Sequence, residues 1–277
     1  MQRTKAMINL GWVILIGGFS NICFGQETTE TQKKTPDRFI TYGLGTMIVK
    51  LNDEHMSDLN YKGGSVHINL GGYKRKKNTL RNFQIGIGIG SISPKDDNRQ
   101  IEPKGQYYRV DLSYSQQYFI QSILNEQIRW YSGGKVKSHT NIRLNPQLDT
   151  GFITFLLANG FFASNTFERD VKMFSRMVIV GWQLDLPLLN HTIRPSFLNV
   201  FDYVNPEGNW VKERVDDSRW YAINKYSNIT STIYMLYPLS SSNIIRLSYE
   251  WDFYRIKSML EATSISSTIS FSLLFKF

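Results

Sequence analysis

The sequence predicts an all-β fold: a transmembrane, antiparallel, up-and-down β-barrel of about twelve strands, or ten if one short hairpin is merged. Two observations carry this expectation. Apolar and polar residues alternate with period two along most of the chain, in segments that often reach ten residues, longer than the usual globular strand. Aromatic side chains recur near the segment ends (Tyr107, Tyr118, Phe119, Trp130, Tyr131, Trp220, Tyr221, Tyr254), where interfacial girdles stand. Composition excludes two other classes. A mean hydropathy of −0.29 over 277 residues leaves no room for several apolar helical spans. An aromatic content of 14% supplies the apolar bulk that disordered chains lack.

Residues 1–25 precede the alternation and read as a secretory leader. Arg3 and Lys5 form a basic start, Met7 to Phe19 an apolar core, and Gly25 a small residue before the expected cut. A transmembrane anchor would need a longer run followed by stop-transfer charges. A lipoprotein would need a small residue where Ile22 precedes Cys23. Cleavage after Gly25 removes the single cysteine, so no disulfide, thiolate ligand or thiol nucleophile is expected. It also lowers the net charge from +9 to +7, because residues 1–25 hold Arg3, Lys5 and no acid. Such a basic balance suits nucleic acid or anionic lipid. Export argues against nucleic acid, and the dense basic run, Tyr73 to Lys77, reads as a turn.

Residues 26–37 (QETTETQKKTPD) are polar and read as a flexible lead-in; 38–277 is then one barrel domain. The clearest ribbon is 244–254. There Ile245, Leu247, Tyr249, Trp251 and Phe253 oppose Arg246, Ser248, Glu250 and Asp252. Similar ribbons place Val66, Ile68 and Leu70 against Ser65, His67 and Asn69, and Tyr108, Val110, Leu112 and Tyr114 against Arg109, Asp111 and serines. Strands are expected over 38–51, 62–73, 82–92, 105–120, 126–132, 136–144, 150–163, 173–187, 192–203, 218–237, 243–255 and 265–277. Long connections at 52–61, 93–104, 164–172, 204–217 and 256–264 then alternate with shorter turns at 74–81, 121–125, 145–149, 188–191 and 238–242. The rhythm is weakest at the connection 133–135, where merging two strands would give the smaller barrel.

A soluble sandwich would also give ribbons with one apolar face. The end of the chain favours the membrane. Ile269, Phe271, Leu273, Phe275 and Phe277 alternate with Thr268, Ser270, Ser272, Leu274 and Lys276. This resembles the terminal strand of bacterial outer-membrane β-barrel proteins, which ends on a Phe read by the assembly machinery. The resemblance is direct over about the last ten residues and rests elsewhere on alternation. It implies a Gram-negative outer membrane after cleavage near Gly25. Outer-membrane lipid and the assembly machinery are the implied partners, and Leu273, Phe275 and Phe277 form the assembly signal.

With apolar faces toward lipid, the polar faces line the lumen. Candidate lumen residues are Arg109, Asp111, Arg129, Lys137, His139, Arg143, Asp185, Arg246, Glu250 and Asp252. In a twelve-strand ring a mainly basic wall (strands four to six) would face a partly acidic one (strand eleven), as in pores that orient polar solutes. Alternatively these charges pair across the interior and fill it. The expected role is therefore structural, partner-binding through loops, or passage of small polar solutes. The alternative is a lipid-modifying hydrolase, which needs nucleophile, base and orienting group together. No catalytic residue is assigned, and an enzyme is the less favoured reading. Ser138 and His139 point to opposite faces of a strand, while Ser65 and His67 share one. Gly86, Gly88 and Gly90 sit inside a strand and read as lumen-side space, not a dinucleotide loop. No metal set and no cofactor is expected.

Overall fold

The structure, a computed structural model, describes residues 37–54, 57–95, 104–146, 153–173, 176–194, 218–222, 225–257 and 261–277. The expected leader and all of the lead-in but Asp37 lie outside the described residues, as does the connection 204–217. The strands are β1 (Asp37–Asp53), β2 (Ser57–Lys76), β3 (Thr79–Pro94), β4 (Gly105–Ile123), β5 (Ile128–Leu144), β6 (Ile153–Met173), β7 (Arg176–Ile193), β8 (Ser218–Ala222), β9 (Tyr226–Pro238), β10 (Ile244–Ile256) and β11 (Ala262–Lys276). No helix occurs among the described residues.

Except for β8 and β9, consecutive strands pair antiparallel, and β11 returns to β1, so the sheet closes. Closure removes the unpaired edge that a membrane would not tolerate. β7 pairs with β9 through Ile179–Asp185 and with β8 through Leu189–Ile193. β8 and β9 therefore occupy one place in the ring, which has ten strands and one short extra segment, not twelve.

Two expected breaks account for the difference. Ser132, Gly133 and Gly134 do not turn; β5 runs straight through them, paired with Gln116–Tyr118 of β4 and with Ala163–Asn165 of β6. A Cβ on Gly133 would lie 2.1 Å from the Gln116 carbonyl oxygen, so this glycine permits close strand approach. The expected turn 188–191 lies inside β7. The register shifts there between Phe161 and Phe162 of β6, a bulge that leaves Leu188 without a partner and keeps the ladder going. The stretch 164–172, expected as a connection, is the second half of β6, and 192–203 is described only as far as Arg194. The connection expected at 145–149 follows β5 at the end of the barrel opposite the one expected.

Strands span 13 to 21 residues apart from β8, more than the ~10 needed to cross a bilayer, so the barrel projects beyond the apolar band. That band is continuous. Ile40, Tyr42, Leu44 and Ile48 on β1, Val66, Ile68 and Leu70 on β2, Leu247 and Tyr249 on β10, and Ile269, Phe271 and Phe275 on β11 all face outward and are exposed. Leu44 keeps 62% of its surface. An apolar surface of this extent marks a lipid-facing wall. The alternate residues point inward and are mainly polar: Ser65, His67 and Asn69 on β2, and Ser264, Ser266, Thr268, Ser270 and Ser272 on β11 are buried.

Apolar clusters occupy the interior toward its ends. Phe39, Tyr73, Leu80, Tyr131, Tyr234, Leu236 and Leu274 pack together at the end that holds the short turns and both barrel termini. Met47, Val49, Leu51, Tyr61, Ile92 and Tyr107 form one cluster toward the opposite end, and Leu156, Tyr221, Tyr226, Tyr254 and Ile256 contribute to another.

Candidate functional site

The inward faces of β1–β11 bring charged side chains from opposite walls into contact. β4 and β10 stand half-way round the ten-strand ring from each other. From β4, Arg109 Nη2 donates to Asp252 Oδ2 on β10 at 3.2 Å, while its Nε donates to Asp111 at 2.6 Å and its Nη1 to Ser266 on β11 at 2.9 Å. Lys137 on β5 reaches the other Asp252 oxygen at 3.1 Å, and the Thr230 hydroxyl donates to that oxygen at 2.7 Å. Arg109 and Asp252 are each 3% exposed. Gly86 and Gly88 make room on this level. A Cβ on Gly86 would come 2.9 Å from the His67 ring, and one on Gly88 3.4 Å from the Arg109 Cβ.

His139 Nδ1 faces Asp111 Oδ1 at 2.7 Å, a contact that assigns the ring proton of the neutral imidazole to Nδ1. Its Nε2 is buried without a hydrogen-bond partner among the described residues. Ser138 lies on the opposite face of β5, as strand geometry requires. Ser65 and His67 do share the inner face, yet Ser65 Oγ and His67 Nδ1 both lack hydrogen-bond partners.

Three further levels flank this one. Toward the long connections, Arg143 and Arg194 both bond the buried carboxylate of Asp53, and Arg143 Nη2 also reaches the Tyr254 hydroxyl at 3.4 Å. Toward the short turns, Asp185 accepts from Lys135 at 2.7 Å and from Gln183 at 2.9 Å. Lower still, Arg75 holds Glu168 with two bonds of 3.0 and 2.5 Å, and the Tyr234 hydroxyl donates to the same carboxylate at 2.8 Å. Arg129 bonds Asp170 and lies 3.8 Å from Glu168. Arg246 stacks over the Tyr234 ring at 4.8 Å. Glu250, with His67, Asn69, Gln84, Lys135 and Arg246, lines a polar cavity of about 40 Å³. A second cavity, between Tyr73, Leu80, Gln117 and Tyr234, has about 20 Å³. Such volumes hold one to a few waters.

All ten candidate residues thus lie on inner faces. Arg109, Asp111, Lys137, His139 and Asp252 form one cluster. Arg143, Asp185 and Arg129 belong to three separate ones, and Arg246 and Glu250 border the cavity. Their partners Asp53, Arg75, Lys135 and Glu168 lie in stretches whose composition does not read as strand. Asp53 and Glu168 were expected in connections, and Arg75 in a turn. Extending the period-two pattern past the apolar residues would have found them, since Arg75 and Tyr73 share parity with Asn69 and His67. Among the described residues no three His, Cys, Asp or Glu side chains are placed to hold a metal ion.

No protein-family profile matches the sequence, and no curated protein matches it. Solved structures do. The outer-membrane protease OmpT from Escherichia coli superposes with a TM-score of 0.51 at 6% identity, covering 91% of this chain and 99% of that one. The translocator domain of the autotransporter NalP from Neisseria meningitidis gives 0.42 at 9% identity, covering 98% and 96%. The Pseudomonas putida toluene transporter TodX gives 0.31 at 8% identity, covering 88% and 90%. At such identities the likeness concerns the fold alone, which is that of bacterial outer-membrane β-barrels.

Proposed function

We propose that this chain, having the fold of a bacterial outer-membrane β-barrel, resides in the outer membrane of a Gram-negative cell as a barrel with a closed interior. Its role is structural or partner-binding. The observation that supports this most is the set of ion pairs that join opposite walls, Arg109–Asp252, Lys137–Asp252, Arg75–Glu168 and Arg143–Asp53. Buried charges hold such geometry because separating them strands each in a low-dielectric interior. Aromatic clusters toward both ends of the interior support the same reading.

A pore would leave its lining charges solvated, which the burial of Arg109, Lys137 and Asp252 opposes. The two candidate Ser/His pairs do not place a hydrolase's base beside lipid, since His139 and His67 are 2% and 7% exposed and face the lumen. The exposed Phe275 and Phe277, at the end of β11 beside Arg38 and Ile40 of β1, suit a signal read during assembly.

Planar-bilayer recording of the refolded barrel tests the closed interior. Heat-modifiable, folded protein is expected to give no steady current steps. Stable, salt-dependent steps would overturn the reading and restore a small-solute pore.

A further inference from the structure

The outer surface of β1–β3 carries a second charged arrangement, at the end of the barrel with the short turns. Arg38, Lys74 and Arg81 all point outward, and they are direct cross-strand partners: Arg38 opposite Lys74, and Lys74 opposite Arg81. Directly opposed side chains lie about 5 Å apart at Cβ, and like charges there repel. Lys76 and Lys77 follow two and three residues after Lys74. Among the described residues none of these five side chains has an ion pair or a hydrogen bond. Three contiguous cations without an acid form a site for an anion.

The row above defines what kind of anion. One step toward the membrane centre stand Ile40, Gly72 and Phe83, again direct partners. Ile40 and Phe83 are exposed. A Cβ on Gly72 would meet nothing closer than the Phe39 carbonyl at 3.9 Å, so packing does not require glycine there. The missing side chain leaves a notch between two apolar side chains, immediately membrane-side of the cations. Beside it, the Tyr114 hydroxyl donates to Gln116 at 3.0 Å, and Gln116 in register faces Arg81.

We infer that this face binds an anionic glycerophospholipid of the leaflet nearest the short turns, with the phosphate on Arg38, Lys74 and Arg81 and an acyl chain in the Gly72 notch. The inference rests on the membrane-barrel reading but not on the closed interior. Basic residues at a membrane surface attract anionic headgroups with energies that correspond to about a fivefold preference per cation. The notch adds apolar contact that a free phosphate cannot use, so the commitment is to lipid.

The test uses the barrel refolded in detergent with equimolar phosphatidylglycerol and phosphatidylcholine, and native mass spectrometry of the lipid it retains. Heat-modifiability on gels reports folding separately, so a barrel that fails to form is distinguished from one that forms without lipid preference. The wild-type chain is expected to retain phosphatidylglycerol preferentially. Lys74→Gln should lower that preference about fivefold, and Arg38→Gln/Lys74→Gln/Arg81→Gln should abolish it. Lys172→Gln/Lys225→Gln/Lys257→Gln removes the same charge elsewhere and should leave the preference unchanged. Gly72→Leu fills the notch, keeps every charge, and should reduce retention of both lipids. Equal retention of the two lipids by folded wild-type protein, or equal losses in the two triple variants, would overturn the inference.

Discussion

Truncating Asp252 to Ala would leave Lys137 buried without its carboxylate and Arg109 with Asp111 alone. Breaking a buried pair from one side leaves an uncompensated charge, at a cost of about 3–5 kcal/mol. Chemical unfolding of the refolded barrel should show that loss for Asp252→Ala and a smaller one for Asp252→Asn, which keeps an oxygen for the Thr230 hydroxyl. A change below about 1 kcal/mol in the Ala variant, the scale of exposed pairs, would show that water solvates these charges. Parity identifies these inner residues: Arg109, Asp111 and Asp252 alternate with Tyr108, Val110, Leu112, Trp251 and Phe253, and Lys137 and His139 with Val136, Ser138 and Thr140. Their pairing is not legible, since it depends on how many strands separate two walls. In a twelve-strand ring β10 would not stand opposite β4.

The same dependence appears at the scale of a strand. Two adjacent glycines beside Ser132 look like a hairpin by composition, yet in β5 they have different tasks. Gly133 faces inward against the Gln116 backbone, whereas a Cβ on Gly134 would have nothing within 4 Å. Gly133→Val is therefore expected to disrupt the β4–β5 ladder and lower the yield of heat-modifiable barrel. Gly134→Val should fold as well as the wild type and gain β propensity. Equal tolerance at both positions would mean that residues 132–134 form a turn after all, and would return the strand count to a larger number. The strands run past their expected ends for a related reason. Beyond the bilayer the outward residues need not be apolar, so alternation fades at Asp53, Arg75 and Glu168 although the ladder continues.

For the whole molecule, the outward face of β1 supplies a ruler. Arg38 and Lys50 point outward a dozen residues apart, with Ile40, Tyr42, Leu44 and Ile48 between them. At about 3.3 Å per residue the separation is about 40 Å along the strand. A tilt of about 40° reduces it to about 30 Å along the membrane normal, close to the thickness of the hydrocarbon core. Leu44 then lies at the midplane and Ile40 near one interface. Arginine on the lipid face costs about 2–4 kcal/mol at the midplane and about 0–1 near the interfaces. Unfolding Leu44→Arg and Ile40→Arg in phospholipid vesicles should reproduce that depth dependence, with the larger loss at Leu44. Equal losses would move the barrel along the membrane normal and detach the cation row of Arg38, Lys74 and Arg81 from the headgroup level. A larger loss at Ile40 would do so too, so this comparison fixes the depth on which the lipid site depends.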